Sequence, residues 1–92
     1  MYTVTLRGFH ERETREAFHI VTLMECDSVM KADAKALYFA KAINFASVAM
    51  CEQHECDGFF VEVRGDSYDD AVTYEVMPGR KMVVWWGTDC DV

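Results

Sequence analysis

Tyr2, Val4 and Leu6 alternate with Thr3, Thr5 and Arg7, the two-residue period of a half-buried strand, and Gly8 is expected to break it. The polar run His10–Glu16 then reads as the tip of a long hairpin, although Glu11 and Arg15, four apart, also suit a short helix. Apolar and β-branched residues return over Ala17–Glu25 and predict a second strand. Ala17, His19, Val21 and Leu23 fall on one face of it, with Phe18, Ile20, Thr22 and Met24 on the other.

Asp27 or Ser28 supplies an N-cap, and neither Gly nor Pro follows until Gly58, so residues 29–54 are expected to form one helix about 39 Å long. Ala32, Ala36, Phe39, Ile43 and Met50 share one arc of it, flanked by Ala40, Ala46 and Ser47. Lys31, Lys35, Ala42, Ala49 and Gln53 occupy another arc. Leu37, Phe45 and Val48 fall outside both, so the helix is apolar over more than one buried stripe needs. Either a curved sheet wraps it or a second copy of the chain covers it, and wrapping is the reading we favour.

Gly58 is expected to end the helix. Phe59, Val61 and Val63 alternate with Phe60, Glu62 and Arg64 on a third strand, and Gly65-Asp66-Ser67 is turn chemistry. Ala71–Met77, Pro78-Gly79 and Lys81–Trp86 form a hairpin with the Pro-Gly signature of a type II turn. The order is β-β-α-β-β-β. It predicts a single α+β domain over residues 1–92, with one long helix packed on a largely antiparallel sheet. Adjacent strand residues point to opposite faces, so one of Trp85 and Trp86, like one of Phe59 and Phe60, faces the core, and the other is either an outward anchor or covered by the hairpin tip or a dimer mate.

Charge sharpens this outline. The net charge of the 92 residues is −7, and hydrophobic residues make up 51%, which excludes a disordered composition. Residues 1–51 hold six acids and six bases, and residues 76–92 two of each. The whole imbalance lies in 52–75, where eight acids meet Arg64 alone. Glu62, Asp66, Asp69, Asp70 and Glu75, with Tyr68 as an aromatic anchor, therefore form the candidate partner-binding face. Its expected partner is the basic protein surface of a nucleic-acid-binding complex, met by electrostatically steered, salt-sensitive association. The acidity opposes direct contact with nucleic acid, for which Arg7, Arg12 and Arg15 are the residues left.

Catalytic and cofactor chemistry finds little to work with. The five glycines are isolated, so no phosphate loop opens the helix, and His10, His19 and His54 lie in no nucleophile context. We expect no enzyme and no cofactor. Cys51, His54 and Cys56 are credible zinc ligands by type, with Cys26 or Cys90 to complete a set. Their spacing is not that of a zinc finger, and a zinc-binding module ranks behind a homo-oligomeric interaction module. The chain carries no secretory pattern and no membrane-length apolar run, which predicts a cytoplasmic protein with reduced thiols. With its small size, acidic α+β character and grouped Glu62, Asp66, Asp69, Asp70 and Glu75, the chain resembles the small phage-encoded inhibitors of the anti-CRISPR type. The resemblance is one of profile and assigns no individual residue. It implies a non-enzymatic inhibitor of a nucleic-acid-guided complex, acting in the host cytoplasm by mimicry or by steric blocking.

Overall fold

A computed structural model describes residues 1–10, 17–65 and 72–87, with only the backbone described for 17–20 and 85–87. The described residues form β1 (Tyr2–Phe9), β2 (Ala17–Cys26), α1 (Val29–Phe45), α2 (Ser47–His54), β3 (Gly58–Arg64), β4 (Val72–Val76) and β5 (Val84–Gly87). The five strands make one antiparallel sheet in the order β2-β1-β3-β4-β5. The chain leaves the β2 edge, crosses one face of the sheet through the helices and returns at the central strand β3. This is the α+β order expected from the sequence, with the helical layer on one face.

The alternation in β1 and β3 places Val4, Leu6, Phe59, Val61 and Val63 under α1, all buried. Ala32, Ala36, Ala40 and Ile43 meet them from the helix. Alanines at the contact let the helix lie close to the sheet. Ser28 is the N-cap, its hydroxyl accepting from the Lys31 amide at 3.2 Å. Tyr74 on β4 fastens helix to sheet: its buried phenol donates to Asp33 Oδ1 at 2.9 Å.

Several boundaries differ from expectation for identifiable reasons. Strand β1 runs through Gly8 to Phe9, because Gly8 and Phe9 pair with Phe18 and Ala17 on one side and with Phe59 and Gly58 on the other. The single long helix is interrupted at Ala46. There the amide bonds back to Ile43 O at 3.1 Å and the Ser47 hydroxyl donates to Asn44 O at 2.9 Å, tightening one turn before α2 resumes. Helix α2 ends at His54, as expected, but the residue that caps it is Glu55 rather than Gly58. Glu55 takes the left-handed conformation (φ 54°, ψ 47°), and the Cys56 amide reaches Cys51 O at 3.1 Å.

Gly58 has a different task. A Cβ there would sit 2.4 Å from Phe9 Cζ, so its bareness lets the Phe9 ring lie across β3. Register shifts between Val4/Thr5 and Leu6/Arg7 disturb strict alternation in β2, which lets the adjacent Leu23 and Met24 both pack against the core. Between β4 and β5 the Pro78-Gly79 turn forms as expected, with Gly79 at φ 85° and Arg80 N bonded to Met77 O at 3.3 Å. The ladder, however, resumes only at Val84, later than the expected Lys81, and leaves Lys81 and Met82 exposed.

Candidate functional site

The acidic face is the first test. Glu62 projects from the side of β3 opposite Val61 and Val63, as expected, but it is buried and ion-paired. Arg7 Nε stands 2.8 Å from its Oε1, as an ion pair in which the N–H is not aimed along the contact. Arg64 Nη2 lies 3.3 Å from Oε2, and the Thr73 hydroxyl donates to the same oxygen at 3.4 Å. Register explains the cluster. Thr73 is directly opposite Glu62 on β4, whereas Arg7, opposite Phe60 on β1, is its diagonal neighbour.

Two arginines thus hold Glu62 inside the open sheet face, so its carboxylate is less accessible than its place in the sequence suggested. Glu75 is half-buried on the same side, with Arg80 Nη1 3.4 Å from its Oε1. Arg7, Phe60, Glu62, Thr73 and Glu75 line an open depression of about 360 Å³. Phe9 stacks on Phe60 at 4.6 Å and closes one end of that face. The other four predicted contacts, Asp66, Tyr68, Asp69 and Asp70, lie outside the described residues. So do the side chains of His19, Trp85 and Trp86. Of the remaining acids in the segment, Glu52, Glu55 and Asp57 are exposed around the end of α2.

The cysteines resolve differently. Cys51 and Cys56 come together where α2 ends, the Cys51 thiol donating to the Cys56 sulfur. Burial pushes the Cys51 thiol up to about 12, reinforced by the neighbouring Cys56, and burial raises Cys56 as well. Raised thiols are poor nucleophiles, the reverse of a reactive pair. His54 packs edge-on against Phe59, ring centres 6.1 Å apart. Among the described residues no group of three or more His, Cys, Asp and Glu side chains converges as a metal site.

The surface that stands out is one sequence reading left partly unplaced. Phe45 is 96% exposed, Met30 81%, Tyr38 67% and Val48 57%, on the side of the helix opposite Ala32, Ala36, Ala40 and Ile43. The expected wrapping by the sheet does not occur among the described residues. Phe45 also borders a groove of about 460 Å³ between α1 and the β4–β5 connection, where Leu37, Met82 and Val83 form apolar walls and Lys41 and Lys81 stand at the rim. The sequence signal was present: Phe45 and Val48 already fell off the buried arc.

No protein-family model, curated protein or solved structure matches the chain. No helix among the described residues is long and apolar enough to cross a membrane.

Proposed function

We propose that this protein is a non-enzymatic interaction module that docks protein through the outward face of α1. The observation that carries the reading is Phe45, almost fully exposed at the end of α1, with Met30 and Tyr38 exposed on the same helix and Val48 on α2. Large apolar side chains gathered on one exposed face mark an interaction site, whereas scattered ones do not. A cytoplasmic setting suits the free thiols Cys26, Cys51 and Cys56.

A second reading keeps the acidic segment. The exposed Glu52 and Glu55 favour it, and it makes the chain an anti-CRISPR-like inhibitor that meets a basic, nucleic-acid-binding surface through Asp66, Tyr68, Asp69 and Asp70. Glu62 and Glu75, paired with arginines, belong to the same acidic segment of the chain.

Affinity capture from host lysate with three baits separates the two. The Tyr38→Glu/Phe45→Glu double variant is expected to lose its partner, and capture by the native chain to persist at high salt, because apolar contacts are not screened. Loss confined to the Asp66→Lys/Asp69→Lys/Asp70→Lys variant, with strong salt sensitivity, overturns the first reading in favour of the second.

A further inference from the structure

We propose that Cys51 and Cys56 are a disulfide-forming site at the end of α2, oxidised by exchange with a low-molecular-weight disulfide such as oxidised glutathione. The inference is independent of the docking reading above. The helix cap builds the site. With Glu55 in the left-handed conformation, the Cys56 amide turns back to Cys51 O at 3.1 Å. Residues joined in this way are the two whose side chains meet in such a cap, usually as an apolar contact. Here both are thiols, and the Cys51 S–H donates to Cys56 Sγ. The Asp57 amide, bonded to Phe9 O at 2.8 Å, pins the next residue to β1.

Position selects this pair. Cys26 stands opposite Tyr2, at the far end of β1 from Phe9. That is ~23 Å along the strand, whereas a disulfide needs Cα atoms within ~7 Å. His54 packs on Phe59, and among the described residues no third ligand joins the two thiols. The pair is thus suited to oxidation rather than to holding zinc, which takes four ligands.

Cys56 is the entering thiol. Burial raises both thiols, but at Cys56 the Cys51 S–H and backbone hydrogen bonds from Gly58 and Phe9 oppose the rise by favouring the thiolate. Cys56 gives its proton to solvent, and its thiolate attacks one sulfur of the small disulfide. One thiolate leaves, and a mixed disulfide remains on Cys56. Cys51 then loses its proton and attacks Cys56 Sγ, expelling the second thiolate. Two protein thiols are thereby oxidised to one S–S bond. The small disulfide is reduced to two thiols, which take up the two protons. Both steps are slow at neutral pH, because burial keeps the sulfurs protonated. The site therefore follows the redox equilibrium without turning over rapidly, and the bond fixes the left-handed turn at Glu55.

Redox titration with reduced and oxidised glutathione at about pH 8.5 tests this by intact mass and peptide mapping. The full chain carries Cys26→Ala and Cys90→Ser, with circular dichroism confirming its fold. Mapping of the native chain, with all four cysteines, is the second measurement should either substitution disturb folding. A species lighter by two hydrogens is expected, with Cys51 linked to Cys56. Its equilibrium constant should be roughly tenfold or more higher in the folded chain than in the urea-unfolded one, where sequence spacing alone acts. The oxidised form should accordingly melt about 5 °C or more above the reduced form. A constant no higher in the folded chain overturns the proposal, as do glutathione adducts that persist without the internal bond. So does a native chain that links either residue to Cys26 or Cys90 instead.

Discussion

The two outer faces of this small protein handle their side chains in opposite ways. On the open sheet face the charges answer one another, with Arg7 and Arg64 on Glu62 and Arg80 on Glu75. On the outer helix face large apolar groups stand in water with nothing described to cover them. A surface whose polar groups already have partners has little left for another molecule. A surface that leaves Phe45 and Tyr38 hydrated gains free energy from any apolar cover, at about 25 cal/mol per Å² removed from water. The difference shows why net charge alone is a poor guide to the binding face: acids that look free along the chain can be neutralised across strands.

Stability should break along the same line. Glu62→Ala removes the common partner of two arginines and is expected to cost about 2–3 kcal/mol, below the range for a fully buried pair because Arg7 and Arg64 can rehydrate. Phe45→Ser, measured where the chain is monomeric, should fall within ~0.5 kcal/mol of the native protein. Urea unfolding of both variants is the check. A Phe45 cost equal to that of Glu62 would mean that the helix face is covered within the monomer.

Between these extremes lies the joint that holds the layers together. Tyr74→Phe leaves the Asp33 carboxylate without its phenol donor and should cost about 1.5–2 kcal/mol. The buried thiol at the end of α2 and the Tyr74 phenol together predict an alkaline limit. Cys51 titrates near 9 when unfolded and near 12 when folded, so the folded state holds its proton more tightly. Its contribution is complete below pH 9 and is lost as pH climbs toward 12, and Tyr74, raised chiefly by burial, acts with the same sign at higher pH. Unfolding free energies should therefore fall across that window by up to ~1.4 kcal/mol per pH unit for each group. Cys51→Val should flatten the first part of the fall, and an unchanged slope would show that the thiol is hydrated.

Much of the fold was legible because its signals are local. The two-residue period placed Val4, Leu6, Phe59, Val61 and Val63 on the inner face, and the helical period found Ala32, Ala36 and Ile43. What stayed hidden depends on residues far apart in the chain. Arg7 reaches Glu62 only through the β1–β3 register, and Asp33 reaches Tyr74 only once the helix crosses the sheet. The paired bulges of β2 likewise arise from mismatch with β1, and no run of residues announces them. The excess apolar surface of the helix was visible, but whether the sheet would curl over Phe45 is a property of sheet curvature, which residue periodicity does not encode.

The smallest effect isolates the part of the acidic segment that the structure leaves in water. Glu55 holds a left-handed backbone where helices commonly place glycine, and its side chain is exposed. The Cys56 amide bond to Cys51 O needs that conformation but not a carboxylate. Glu55→Gly should therefore stabilise the protein by about 0.5–1 kcal/mol, the relief of a Cβ penalty less the added freedom of the unfolded chain. The same substitution removes one exposed charge beside Glu52 and Asp57. If the helix face alone docks a partner, affinity should be unchanged while the urea midpoint rises. Weaker capture from a more stable protein would instead assign binding to the acidic end of α2.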